Sequence, residues 1–152
     1  MPTLTRFAAM LLFGVLSYFI GMRYQQLYDN PPDTFAGGVF LALVAAFIGW
    51  RFVGPRIDRS FLRAFTVVVQ GYLATLLLAL FLYGFYDAFT KGYARQYRDL
   101  SEAVQGVIGT AIEHLQRMMD VEFLTFLLFV AIGVAVVVTI VYRVAEARRL
   151  AR

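Results

Sequence analysis

Residues 64–86, AFTVVVQGYLATLLLALFLYGFY, run for 23 positions without a formal charge. As a helix rising ~1.5 Å per residue, such a run reaches roughly 34 Å, enough to cross a hydrocarbon core of about 30 Å with some tilt. Amide groups in lipid find no water to bond, so a single apolar run is confined to helix. Three more runs share this character, and 61% of the 152 residues are hydrophobic against 16% charged. That balance excludes an ordinary soluble domain. The sequence predicts one all-α integral membrane domain over 1–152, with transmembrane helices near 5–23, 35–53, 64–86 and 123–142.

The first apolar run, 7–22, holds 16 uncharged residues. Leu4 and Thr5 extend it, while Arg6 and Arg23 can snorkel their charges outward. Arg6 before an apolar run imitates a secretory signal, but no small-x-small cleavage site follows, so a retained span is expected. Gly14, Ser17 and Gly21 form a small-residue stripe, and Gly38, Ala42 and Ala46 form another in the second span, beside Ala45 and Gly49. Ala131, Ala135 and Thr139 supply a third in the last span. Small residues let helices approach closely, so these lines are assigned to helix packing. Between the first two spans, 24–34 contains Pro31-Pro32, which cannot continue a helix, with Tyr24 and Tyr28 suited to the interface.

The basic residues argue for orientation. The formal charge is +4, yet 13 of the 14 basic residues are Arg and most flank apolar runs, a pattern of membrane anchoring that gives no reason to invoke nucleic acid. Trp50 and Arg51 mark the headgroup level, and Arg56, Arg59 and Arg63 crowd the connection around Gly54-Pro55. Arg143, Arg148 and Arg149 follow the last span. With four spans these groups share a side, and the positive-inside rule predicts that both termini are cytoplasmic.

Between spans three and four, Val104, Val107, Ile108, Ala111, Ile112, Leu115 and Met118 recur at helical steps, with Glu102, Gln105, Glu113, Gln116 and Arg117 opposite. This predicts an extracytoplasmic amphipathic helix over about 100–118, lying along the membrane, with Asp99 and Glu102 as a capping box. Gly106 and Gly109 each weaken it by roughly 1 kcal/mol relative to Ala. Close docking or a flexible break would account for them.

Chemistry leaves few traces. Absence of cysteine removes thiolate metal sites, covalent c-type haem, iron–sulfur clusters and disulfides on this chain. None of the four uncharged runs holds a charged residue, whereas transporters keep their working charges inside their spans. Ser17, Gln70, Thr75, Thr125 and Thr139 are the polar groups at depth and are expected to hydrogen-bond between helices. His114 is the sole histidine. Its neighbour Glu113 diverges from it by about 100° on a helix, so the two make no metal pair, and a solvated or interfacial ring is expected. With no nucleophile motif and no phosphate-cradling glycine loop, no catalytic, cofactor-binding or metal residues are assigned, and no enzyme and no cofactor are expected.

Several short stretches together resemble the TrgA family of bacterial tellurite-resistance membrane proteins. They are Met1-Pro2-Thr3 before a span, Gly49-Trp50-Arg51 with Gly54 closing the second, and the aromatic 81–89 segment followed by Tyr97 and Glu102-Ala103. The resemblance covers nearly the whole chain. It implies a multi-pass inner-membrane protein linked to tolerance of tellurium oxyanions, with no catalytic residues. Direct thiol reduction of tellurite by a chain without cysteine is not credible. Two readings follow. One is a structural or accessory subunit whose partners are lipids, other membrane proteins or further copies of itself, so that a bulky residue at Gly38 or Ala42 would disrupt assembly but not insertion. The other is an oligomeric transporter or channel for a small anion, with Gln70, Thr75 and the 51–63 loop along its path.

Overall fold

The computed structural model describes residues 3–28, 35–93 and 100–150. Among these there are five α-helices and no strand: α1 Thr3–Gln25, α2 Phe35–Ile48, α3 Phe61–Tyr93, α4 Leu100–Met118 and α5 Val121–Leu150. Four helical stretches are long and apolar enough to cross a membrane, Leu4–Gln25, Phe35–Arg56, Phe61–Thr90 and Val121–Leu150, which is the pattern of a multi-pass membrane protein. Pro31-Pro32, Arg95, Tyr97, Arg98 and Asp99 lie outside the described residues, and with them the proposed capping box.

Two helices overrun their expected spans. α3 starts before 64 and continues past 86, and α5 continues past 142. Charge ends the hydrocarbon-compatible run without ending the helix, because Arg143, Arg148 and Arg149 are good helix formers and no Gly or Pro interrupts them. At 30 residues, α5 is about 45 Å long and must tilt or project beyond a core of about 30 Å.

α2 does not end at Ile48 but passes into a π-helical turn, Gly49–Val53, and then a 3-10 turn, Gly54–Arg56. The wider turn coincides with a close backbone approach, where an added Cβ at Gly49 would lie 2.5 Å from the carbonyl oxygen of Ala9. Pro55 then sits at the start of the 3-10 turn, where its missing N–H is not needed. Asp58 accepts from the amide of Ser60 at 2.8 Å, and Ser60 O accepts from Ala64 N at 3.0 Å, which turns the chain into α3. At the other end Asp120 caps α5, its Oδ2 accepting from Phe123 N at 2.9 Å.

All four long helices meet in one core. Ala9 and Phe13 of α1, Ala45 and Ile48 of α2, Val53 of the π turn, Ala64 and Val68 of α3, and Ala131, Val134, Ala135 and Val138 of α5 are buried together. Phe13 is its centre: its ring stacks on Tyr72, centroids 4.5 Å apart, and touches the spaces left by Gly49 and Gly71. Lipid chains are as apolar as these side chains, so close van der Waals fit holds the helices together here.

Candidate functional site

Three regions gather polar or unusual side chains, and each is built from helix ends or helix crossings. At one end, Arg6 packs on Gly54 and Arg59 meets Glu146, which brings together the start of α1, the α2–α3 turn and the end of α5. Arg59 Nε donates to Glu146 Oε2 at 2.6 Å, and this bond raises the guanidinium above its ordinary pKa. Arg63 pairs with Asp58 at 3.1 Å, and Arg143 donates to the Arg59 carbonyl at 2.9 Å. Arg56 lies over the Phe52 ring at 3.7 Å and donates to its carbonyl. Trp50, Arg51, Arg148 and Arg149 are exposed. An open recess of about 570 Å³ lies among Asp58, Arg59, Ser60, Arg63, Tyr142 and Glu146. Both its arginines face carboxylates, so it presents no net positive well for an anion.

At the opposite end α4 docks on the bundle through groups 90 residues apart in sequence. His114 Nδ1 is hydrogen-bonded to the Tyr24 hydroxyl at 2.6 Å and lies 3.3 Å from that of Tyr28. Tyr83 packs edge-on to the His114 ring at 5.8 Å. Arg117 covers the Tyr28 ring at 3.8 Å, a cation–π contact. Val107 fills the space beside Gly84, where a Cβ would lie 2.6 Å from its Cγ1. His114 is therefore half-buried among tyrosines. Among the described residues no group of three or more His, Cys, Asp or Glu is placed to hold a metal ion, and Asp120, near in sequence, caps α5.

The small-residue stripes are used inside the chain. A Cβ at Gly14 would meet Ala46 Cβ at 3.3 Å and the Ala42 carbonyl at 3.5 Å; at Gly21 it would meet Gly38 Cα at 3.6 Å; at Gly38 it would meet the Tyr18 ring at 3.1 Å. Ser17, Ala131 and Ala135 are buried. Gly38 and Ala42 lie in the α1–α2 seam, so bulk there would also press on the chain's own packing. The expectation of hydrogen bonds between helices is corrected. Thr75 donates to Gly71 O at 2.9 Å, Thr139 to Ala135 O at 2.6 Å and Thr125 to Val121 O at 2.7 Å, all within their own helix. A hydroxyl reaches the carbonyl four residues back more readily than a neighbouring helix, and Gln70 is exposed.

The third region went unread in sequence. An apolar cavity of about 280 Å³ lies between the helices, lined among others by Ser17, Tyr72, Thr75, Met118 and Leu128. The Tyr72 hydroxyl is buried without a hydrogen-bond partner among the described residues. Gly71 carried the same signal as the glycines already singled out, but nothing local marks Tyr72.

No family model, no curated protein and no solved structure matches this chain.

Proposed function

We propose that this chain is a non-enzymatic accessory subunit of a larger bacterial inner-membrane complex, with both termini in the cytoplasm and a part in tellurite tolerance of the kind the TrgA resemblance implies. The observation that carries this reading is the division of polar from apolar groups. Charged side chains gather at the helix ends, where Arg59 pairs with Glu146 and Arg63 with Asp58. Between the ends, the buried threonines bond their own helices and the core is aliphatic and aromatic. Among the described residues, no charged side chain lies in the middle of the bundle for a permeating anion to meet, which argues against the transport reading.

The outer surface supports contact instead. Leu73, Leu77, Phe81, Phe85 and Phe89 form an exposed row along α3, with Phe81 and Phe85 centroids 5.0 Å apart. Cytoplasmic termini rest on the excess of Arg at the end shared by Arg6, the 51–63 segment and the end of α5. Two measurements test the proposal together. Liposomes holding the purified chain should pass neither chloride nor tellurite faster than empty ones, and deleting the gene should lower tellurite tolerance. Rapid flux abolished by Arg59→Ala would overturn the accessory reading; unchanged tolerance would remove the tellurite link.

A further inference from the structure

We propose that the recess between the α2–α3 turn and the end of α5 holds the phosphoethanolamine headgroup of a phospholipid, with the phosphate against Arg59 and Arg63 and the ammonium against Glu146. Its level in the membrane selects a lipid. The uncharged run of α3 begins at Ala64, directly after Arg63, and that of α5 ends at Tyr142, directly before Arg143. The recess, lined by Asp58, Arg59, Ser60, Arg63, Tyr142 and Glu146, therefore lies where both helices leave the hydrocarbon, the depth at which phospholipid headgroups sit. At about 570 Å³ it is within the range of small-molecule sites, and it is open rather than enclosed, so a headgroup can enter while its tails stay in the bilayer. Leu62 and Ile140, close in sequence to the recess residues, are exposed and offer apolar surface to those tails.

The charges select the headgroup. Arg59 meets Glu146 at 2.6 Å and Arg63 meets Asp58 at 3.1 Å, so the recess carries both signs in equal number. A simple anion gains little from such a balanced set, whereas a ligand bearing both signs can address both. Exposed pairs of this kind are worth little alone, so sharing them with a ligand costs little. Each guanidinium has five N–H donors and spends one on its carboxylate, which leaves four for phosphate oxygens.

The carboxylates differ in what they have left. Asp58 already accepts from Arg63 and from the Ser60 amide. Glu146 accepts from Arg59 through Oε2, while its Oε1 accepts nothing among the described residues and the side chain is 28% exposed. That oxygen is a reachable acceptor beside two arginines. A primary ammonium brings it three N–H donors; the quaternary ammonium of phosphocholine brings none, and phosphoglycerol brings no positive charge.

Native mass spectrometry of the full chain in detergent micelles, offered dioleoylphosphatidylethanolamine, dioleoylphosphatidylglycerol or dioleoylphosphatidylcholine at equal concentration, tests the assignment. One phosphatidylethanolamine should be retained per chain, roughly fivefold tighter than either of the others. Glu146→Gln keeps an oxygen for Arg59 but loses the charge, and should bring phosphatidylethanolamine down to the level of phosphatidylcholine. Because both lipids are compared on one variant, a general loosening of the fold cancels. Arg63→Gln, at an exposed position whose ion-pair partner is five residues away, should weaken phosphatidylethanolamine and phosphatidylglycerol alike while leaving thermal unfolding unchanged. Equal retention of the three lipids by the parent, a preference for phosphatidylglycerol, an ethanolamine preference that survives Glu146→Gln, or retention unaffected by Arg63→Gln would each overturn the inference. So would displacement of the lipid by free phosphoethanolamine at matched concentration, which would assign the recess to a soluble ligand.

Discussion

Replacing Gly49 with Ala adds a single methyl group at the crossing of α1 with the π turn, and its effect can be worked from the contacts. Ordinary van der Waals contact begins near 3.4 Å, whereas the new Cβ would lie 2.5 Å from Ala9 O, about 0.9 Å inside it, and 3.0 Å from Phe13 Cβ. The obstacle is backbone, so no rotamer change relieves it. Nearby on the same seam, Gly54 sits against Arg6 Cα with an added Cβ at 2.6 Å, so α1 cannot slide aside without opening a second contact. Overpacking of this kind costs about 1–3 kcal/mol, and the loss exceeds the helix-propensity gain of up to about 1 kcal/mol that Ala offers over Gly. Gly133→Ala is the control, because nothing lies within 4 Å of its added Cβ. Reversible unfolding in mixed micelles, followed by far-ultraviolet circular dichroism, should place Gly49→Ala about 1–3 kcal/mol below Gly133→Ala, since the propensity gain is common to both. Equal stability of the two variants would refute the seam as described.

Other substitutions probe the remaining contacts. Gly84→Ala should push Val107 away and loosen α4, seen as faster amide exchange across Leu100–Met118 with the four long helices unchanged. His114→Ala should expose the same helix by removing its bond to Tyr24, a loss of about 1 kcal/mol in local opening free energy. Thr139→Val should change unfolding free energy by less than about 1.5 kcal/mol, since its hydroxyl serves only its own helix; a loss of twice that would restore a bond between helices.

Hydropathy made the four spans legible because lipid imposes one conformation on any apolar run, and α4 was legible because its apolar positions keep helical spacing. Helix ends were not, since Arg and Glu leave the hydrocarbon without leaving the helix, as the last turns of α5 demonstrate. The small residues of α1 and α2 announced close packing, but spacing on one helix cannot say which face it meets. Gly14 against Ala46 and Gly49 against Ala9 are facts of register between two helices. His114 reads as solvated or interfacial in sequence because its partners Tyr24 and Tyr28 are 90 and 86 residues away. Tyr72 was hidden for the opposite reason: one aromatic among many in an apolar run carries no mark of an unpaired hydroxyl.

Assembly is the property on which the functional reading turns. Tagged protein drawn from its native membrane in mild detergent, and weighed intact by native mass spectrometry, is expected as a fixed-stoichiometry complex with a larger membrane protein. Recovery only as a monomer or as copies of itself would contradict the accessory role.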